Sequence, residues 1–447
     1  MTLVLIVSFF LLLLMGVPIA FCMLLSSLSA LLYAGINPIM IALETTRSLA
    51  GFYSFLAVPF FILAGDIMSK GGLSARLIGF VKSLVGHRKS GLPMVTVIAS
   101  ELFGAVSGAS AATCSAIGSM MIPAMEKTGY PRSFATSLSA CAGTTGALIP
   151  PSIALLLYGS IANISIEKMF IGGVLPGILI GVALILASMR MSRNFTISLQ
   201  PKSCIREKLS STGKAFWVIL LMVIIFGGIM GGLFTATEAS AVAVVYALLI
   251  SMFVYKEIKI QDLPSIFSGA AKTTAALSFL LATASLFAWT LGAGRIPVVI
   301  TDAMLSASDW FVNLFSAHLN PESFFVVRKI VVLIMLNIVL FVISMFIDVA
   351  PALLIIVPVF VPISQAIGMG EGLAAVNFGV MCVCNMIIGL VTPPVGSTLF
   401  VASGVGKVDL KSLLPYTFRF LIYMLIVQML VTFVPFFTTF LPSLLGD

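Results

Sequence analysis

Long apolar runs, separated by short polar or basic segments, occupy almost the whole chain. Many are near the length of about 20 residues that an α-helix needs to cross a hydrocarbon layer of about 30 Å. They do not alternate between apolar and polar positions, which argues against the strands of a membrane barrel. The pattern predicts ten helical spans, at 2–14, 17–35, 52–68, 133–163, 169–189, 215–234, 236–254, 268–294, 373–405 and 412–440.

Two further apolar stretches, at about 94–125 and 328–366, are awkward as single spans. Each is long enough for two short helices. We interpret them as re-entrant hairpins, which a membrane tolerates only where they are buried in protein or line a wet cavity.

Two of the predicted spans contain adjacent prolines at matching places. GALIPPSIALLLYG begins at Gly146 and GLVTPPVGSTLFVA begins at Gly389, so the same Gly-x-x-x-Pro-Pro spacing occurs in both halves. Proline removes a backbone donor and clashes with the preceding turn, at a cost of about 3 kcal/mol in a helix interior. We therefore predict that the spans 133–163 and 373–405 are broken helices.

The basic residues indicate an orientation. The segment 190–214 is the longest polar loop, and placing it in the cytoplasm agrees with the excess of Lys and Arg on that side of a membrane. The Lys and Arg that then fall outside are only Arg47, Lys168, Arg295, Arg328 and Lys329. The first hairpin then enters from the cytoplasm and the second from the opposite side, as in an inverted repeat.

This topology divides the chain into six parts. We predict an N-terminal span at 1–16, a first repeat at 17–189, a cytoplasmic linker at 190–214, a connecting span at 215–235, a second repeat at 236–440 and a tail at 441–447. The fold class is an all-α polytopic membrane protein.

Composition agrees with this class. Of 447 residues, 60% are hydrophobic and 9% are charged, whereas soluble domains carry about 25% charged residues. The net charge of +8 is explained by basic residues flanking the spans, and no basic run with interleaved aromatics suggests nucleic acid binding. Six scattered cysteines predict neither a metal site nor a cofactor.

The broken spans suggest a site for a cation and an anion. An interrupted helix leaves carbonyl oxygens without intrahelical partners, and these suit Na⁺ together with the hydroxyls of FGAVSGASAATCSAIG and CAGTTGALIPPS. The positive N-terminal end of a half-helix suits a carboxylate. In the second half Asp348, in SMFIDVAP, is either an intramembrane functional acid or an N-cap.

Other intramembrane polar residues predict packing rather than transport. Asp66 and Glu101 lie near the inner membrane ends, and we expect them to pack at the interface or to pair with nearby basic residues. Glu238 is expected to cap a helix or to pair with a partner subunit. Asn337 and Asn385 are expected to bond across helices.

The stretch FGAVSGASAATCSAIGSMMIPAMEKTGYPRSFATSLSACAGTTGALIPPSIALLLYG resembles the large membrane (M) subunit of TRAP transporters, the tripartite ATP-independent periplasmic transporters. LFTATEASAVAVVYAL and the TPPVGSTLFVAS region share this resemblance. One departure is SGAS, where the family often has a further Ser at the third position, so one hydroxyl contact is in doubt.

The resemblance implies more than the spacing does. It implies an elevator architecture of the ion-transporter superfamily, in the bacterial inner membrane, driven by a Na⁺ gradient. The implied partners are a small membrane subunit (Q), a periplasmic substrate-binding protein (P), an organic-acid substrate and membrane lipids. Carried over residue by residue, it implies one Na⁺ near Ser107, Ser110, Gly143 and Thr145, a second near Asp348, Gly389, Thr392 and Pro393, and a substrate carboxylate near Pro150, Ser152 and Pro394.

Three alternatives stay open at this point. The first is a stand-alone carrier of organic anions, coupled to H⁺ or Na⁺, that needs no binding protein. The second is an ion channel, since selectivity filters also use broken backbone. The third, an intramembrane enzyme, lacks H-E-x-x-H and G-x-S-x-G motifs, and neither His lies in a span. We expect no enzyme activity, and the sequence does not tell which organic acid is carried.

Overall fold

The computed structural model describes residues 1–37, 39–51, 53–198, 201–202, 204–315 and 320–444. Within these ranges the chain forms α-helices, a few short 3₁₀ or π turns, and no β-strand. The helices before the central linker are α1 Thr2–Leu14, α2 Ile19–Tyr33, α3 Ile39–Gly51, α4 Ala57–Lys70, α5 Leu73–Val85, α6 Gly91–Ser107, α7 Ser110–Lys127, α8 Arg132–Thr145, α9 Ile153–Ala162 and α10 Ile166–Ser192.

The second half begins with a helix whose first turns lie within the predicted linker. Its helices are α11 Ile205–Met230, α12 Ala236–Leu249, α13 Leu263–Ala293, α14 Ile296–Phe315, α15 Pro321–Phe346, α16 Val349–Ala366, α17 Gly372–Gly389, α18 Ser397–Gly406, α19 Leu410–Phe433 and α20 Phe436–Ser443. Of the predicted tail, residues 445–447 lie outside the described residues.

In the described part of the chain, eight helices are long and apolar enough to cross a membrane. They are α10, α11, α12 with its π-helical extension to Val254, α13 with the preceding turn, α15, α16, α17 and α19. The remaining apolar helices are shorter. At 1.5 Å per residue, the 13-residue α1 reaches only about 20 Å.

The structure differs from the predicted spans in several places. Helices α5 and α14 each precede a predicted hairpin, and neither was predicted as a helix. The predicted span at 412–440 is two helices, because the chain breaks at 434–435 between α19 and α20. The predicted linker 190–214 is shorter as a loop, since α10 reaches Ser192 and α11 begins at Ile205.

Both Pro-Pro pairs interrupt a helix. Helices α8 and α9 are separated by residues 146–152, and α17 and α18 by residues 390–396. Both Pro-Pro peptide bonds are cis. The two predicted hairpin stretches are helix pairs: α6 and α7 are joined by 108–109, and α15 and α16 by 347–348.

The two halves interlock across these breaks. Helix α9, which follows the first break, packs against α16 and α17 of the second half. Helix α18, which follows the second break, packs against α7 and α8 of the first half. Each half-helix therefore lies on the second arm of the other half's hairpin.

Glycine makes possible the close approach of α9 to α17 and of α18 to α8. A methyl group on Gly379 of α17 would meet the ring of Tyr158 on α9, and one on Gly406 of α18 would meet Thr136 on α8. The carbonyl of Gly406 also accepts a 2.6 Å hydrogen bond from Arg132 Nε. These contacts join the first half of the chain to the second, one at α9 and one at α18.

A buried amide cluster fastens α15 to α17 and α19. Asn337 Oδ1 accepts from Asn385 Nδ2 at 2.8 Å and from Gln428 Nε2 at 2.7 Å. Gln428 Nε2 also donates to the Met381 carbonyl at 3.1 Å. The prediction that Asn337 and Asn385 bond across helices is therefore confirmed.

Helix capping explains why the charged residue Glu238 lies in an apolar region. Thr235 Oγ1 accepts from the Glu238 amide at 3.3 Å, and the Thr235 amide donates to Glu238 Oε2 at 2.8 Å. This reciprocal pair is a capping box. Glu238 thus caps the start of its own helix, α12, as predicted.

Candidate functional site

The tip of the first hairpin is a sharp turn that only glycine accommodates easily. Gly108 has φ +62°, in the left-handed region, where a side chain is unfavourable. A methyl group there would also lie 2.6 Å from the carbonyl oxygen of Pro151. The hairpin tip therefore lies directly on the first Pro-Pro turn.

Hydroxyl groups line the inside of this tip. Ser107, the last residue of α6, and Thr113 of α7 share a 2.9 Å hydrogen bond between their hydroxyl oxygens. Ser110 begins α7 and is buried. Thr113 was not singled out from the sequence, although it lies in the same small-residue stretch.

The first broken turn is fully buried. Pro150 and Pro151 have no amide hydrogen, so the carbonyls of Gly146 and Ala147 cannot receive the usual helical bond. The Ser152 hydroxyl donates to the Ala147 carbonyl and accepts from the Leu155 amide at 3.1 Å. Ser152 thus caps α9, and the Gly146 carbonyl is left without its helical donor.

Glycine contacts hold the hairpin and the broken turn together. A methyl group on Gly143 would lie 2.7 Å from Cys114 Cβ, and one on Gly146 would lie 2.6 Å from Gly104 Cα and 3.0 Å from Thr113 Oγ1. Through these contacts the structure brings the hairpin tip and the end of α8 together. The predicted residues Ser107, Ser110, Gly143, Thr145, Pro150 and Ser152 lie on these two adjoining segments.

The second half has the same parts with a different arrangement. The amides of Val395 and Gly396 both donate to the Met345 carbonyl, at 3.2 and 3.3 Å. A methyl group on Gly389 would overlap Ser344. The second broken turn is therefore attached to the end of α15 rather than to the residue at the hairpin tip.

Asp348 is the N-cap of α16. Its side chain accepts a 2.8 Å hydrogen bond from the Val349 amide. The N-cap interpretation is confirmed, while a role in ion binding stays a prediction. Thr392 donates from its hydroxyl to the Ile388 carbonyl at 3.2 Å and lies in the turn with Pro393.

The two broken turns differ in exposure. Pro150, Pro151 and Ser152 are buried. In the second turn Thr392 is buried and Pro394 is exposed, and Asp348 at the neighbouring hairpin tip is also exposed. Among the described residues, no hydrogen bond joins the predicted residues of the first turn to those of the second. The predicted residues of the first turn are therefore all buried, whereas those of the second are buried in part.

Comparisons with known proteins support a transporter. The family model described as "Tripartite ATP-independent periplasmic transporter, DctM component" matches residues 6–437. The chain is 39% identical over 394 residues to the C4-dicarboxylate TRAP transporter large permease protein DctM of Pseudomonas aeruginosa, covering 88% of this chain and 87% of that protein. It is 34% identical over 429 residues to the sialic acid TRAP transporter large permease protein SiaM of Vibrio cholerae, covering 96% and 95%.

Among solved structures, the Alcanivorax borkumensis YdaH transporter superposes with a TM-score of 0.57. It covers 87% of this chain and 87% of that chain at 13% identity. At this identity the likeness concerns the fold alone.

Proposed function

This chain belongs to the DctM component family of tripartite ATP-independent periplasmic transporters, and from that premise we propose that it is the permease subunit of a Na⁺-coupled importer of an organic acid. Membership of this family makes the chain a multi-pass membrane protein and confirms that it is not an enzyme. The bacterial inner membrane is its expected location.

The observation that carries the proposal is the pair of Pro-Pro breaks, each joined to a helical hairpin. Broken backbone at membrane depth is tolerated only where it is buried in protein or lines a water-filled cavity, and its free carbonyl oxygens are suited to bind a cation there. The first Na⁺ is assigned to the hydroxyls and carbonyls of Ser107, Ser110, Gly143 and Thr145. The second is assigned to Asp348, Gly389, Thr392 and Pro393.

The substrate carboxylate is assigned to the region of Pro150, Ser152 and Pro394. Helices α9 and α18 begin at the two breaks, and the N-terminal end of a helix carries a partial positive charge that stabilises an anion. A carboxylate between these ends would be held without a fixed basic side chain. Na⁺ bound beside it would offset the remaining negative charge.

An elevator mechanism fits the way the halves interlock. The exchanged packing of α9 on α16 and of α18 on α7 makes the hairpins and broken helices a single packed unit. Such a unit is suited to move as one body against the remaining helices. The unequal burial of the two broken turns is consistent with one end state of that movement.

The partners follow from the family. The two relatives described above are named as large permease proteins for C4-dicarboxylates and for sialic acid. We infer a small membrane subunit beside this chain and a periplasmic protein that delivers the substrate. An organic acid of one of these kinds is the expected cargo.

The test is uptake into proteoliposomes. The chain is reconstituted with its small subunit and binding protein, and uptake of C4-dicarboxylates, sialic acid and other organic acids is measured with an inward Na⁺ or choline gradient. We expect uptake of one acid class only with Na⁺ and only with the binding protein. Equal uptake without Na⁺ would contradict the coupling, and equal uptake without the binding protein would favour a stand-alone carrier.

A further inference from the structure

Glu101 is a half-buried acid that the proposed transport site does not use. It lies on α6, two turns before the first hairpin tip, and its Oε1 is buried without a hydrogen-bond partner. Among the described residues no ion pair includes it. Of the two expectations for Glu101, the ion pair with a basic residue is not found among the described residues, and the side chain packs against α10 instead.

A glycine notch on α10 receives the carboxyl group. A methyl group on Gly181 would overlap Glu101 Oε1, so any larger residue there would displace the carboxyl. Gly177, one turn away on the same face of α10, is packed against Ile149 of the first broken turn in the same manner. The four residues from 177 to 181 rise about 6 Å along the helix axis, so Glu101 lies close to the first broken turn.

Charged groups on the helices packed against α6 do not neutralise Glu101. These helices are α4, α5, α7, α8 and α10, and their charged residues are Asp66, Lys70, Arg76, Lys82, Glu126, Lys127, Arg132, Glu167, Lys168 and Arg190. Several have partners of their own. Arg76 pairs with Glu257 at 3.0 Å, and Arg132 with Glu126 at 2.5 Å.

The charged residues of α10 itself are remote from the notch. Lys168 precedes Gly181 by 13 residues and Arg190 follows it by nine, which is about 20 Å and about 14 Å along the helix. The Glu101 carboxyl is therefore surrounded on the α10 side by glycine and apolar residues. A carboxylate there would lose the hydration of its buried Oε1 without gaining a donor for that oxygen.

We propose that Glu101 is a proton-binding site that is linked to the position of the first hairpin. In the packed arrangement the carboxyl binds H⁺ and is neutral, because a buried carboxylate without a donor is strongly disfavoured. It loses the proton when α6 and α10 move so that the group reaches water. By linkage, protonation then stabilises the packed arrangement and deprotonation stabilises the other.

The first test does not depend on transport. Hydrophobic carbodiimides modify protonated carboxyl groups in apolar surroundings, and peptide mass spectrometry locates the adduct. With dicyclohexylcarbodiimide and the purified protein in lipid nanodiscs, we expect modification of Glu101 that decreases as the pH is raised. Absence of the adduct at every pH would overturn the proposal.

Two variants make this test specific. Glu101→Gln should remove the adduct, and Gly181→Ala should reduce it because the added methyl group displaces the carboxyl from the notch. Glu126→Gln, which removes a carboxyl in an exposed ion pair, is the matched control and should leave the Glu101 adduct unchanged. Undiminished labelling of Glu101 in Gly181→Ala would also contradict the proposed location.

The second test uses the proposed function, on which it rests. If protonation is required, Na⁺-driven uptake by the parent should fall with rising pH, by at most about tenfold per pH unit. Uptake by Glu101→Gln should vary less than about twofold over the same range, because its neutral amide cannot titrate. An identical pH profile in both would refute the linkage. Failure of Na⁺ to drive uptake at all would contradict the proposed function instead, and leaves the labelling result to decide on Glu101.

Discussion

The contact between the first hairpin and the first broken turn predicts a large effect from one methyl group. Gly146 follows α8 directly and has helical backbone angles, φ −61° and ψ −24°, so alanine fits its backbone. Its Cβ, however, would lie 2.6 Å from Gly104 Cα and 3.2 Å from the Ser100 carbonyl oxygen. Gly146→Ala therefore tests the contact and not the local conformation.

The size of the effect follows from the distances. Ordinary contacts of a Cβ atom begin at 3.4 Å, so the two backbones must separate by about 0.8 Å at this point, because neither is a flexible side chain. Overpacking of this kind costs about 1–3 kcal/mol. If this cost destabilises the Na⁺-bound form, the affinity of the first site for Na⁺ falls about 5- to 150-fold.

The assay measures binding without transport. Na⁺ that binds only the folded protein raises its unfolding temperature in a concentration-dependent manner. The midpoint of this rise, measured in detergent with choline replacing Na⁺, reports the apparent Na⁺ affinity. We expect at least a fivefold increase in that midpoint for Gly146→Ala.

Gly404→Ala is the control. Gly404 lies in α18, and a Cβ there has no neighbour within 4 Å. Alanine in a helix is favoured over glycine by about 1 kcal/mol, so this variant should keep its Na⁺ midpoint and be no less stable than the parent. An unchanged midpoint in Gly146→Ala would refute the assignment of a Na⁺ site to this contact.

Three further variants test other parts of the site. Thr392→Ala removes a hydroxyl from the second assigned Na⁺ site and should weaken Na⁺ dependence of uptake about fivefold, for a loss of about 1 kcal/mol. Replacing Pro150 and Pro151 together with Ala restores two amide donors, which should let the helix close and lower uptake. Gln428→Leu removes a 2.7 Å donor to Asn337 Oδ1 and should lower the unfolding temperature by the equivalent of about 1 kcal/mol.

The threonine and the glutamine variant each have a control that shares their chemistry. Thr290→Ala removes a buried hydroxyl that donates to the Leu286 carbonyl on α13, away from both breaks, and should leave Na⁺ dependence unchanged. Gln261→Leu changes an exposed glutamine and should leave stability unchanged. Equal loss of Na⁺ dependence in the two threonine variants would contradict the role of Thr392 in the second Na⁺ site. Unaltered uptake in the double proline variant would contradict a function for the first break. Equal stability of the two glutamine variants would contradict the stabilising role of Gln428.

The helix breaks could be predicted from the sequence because proline acts locally. A Pro-Pro pair removes two donors whatever surrounds it, so Pro150 and Pro394 mark the breaks without knowledge of the fold. Helix α5 escaped prediction because it has 13 residues and carries Arg76 and Lys82. Its amphipathic pattern is real, but it falls below the length and hydropathy of a membrane span.

The packing of the candidate site could not be predicted from the sequence. The approach of Gly104 to Gly146 joins α6 to the residue that follows α8, and a glycine in an apolar run carries no sign of its partner. The bond between Ser107 and Thr113 similarly depends on the turn at Gly108. The unequal exposure of the two breaks depends on how whole helices are placed, which repeat spacing alone does not determine.

The most direct measurement is electron cryomicroscopy of the permease with its partner subunits in lipid nanodiscs, with matched maps in Na⁺ and in choline. The prediction is Na⁺-dependent density at two positions, one enclosed by Ser107, Ser110, Gly143 and Thr145, and one beside Gly389 and Thr392. Identical maps in the two salts, or Na⁺-dependent density only at places remote from both breaks, would contradict the central claim that the broken helices bind the coupling ion.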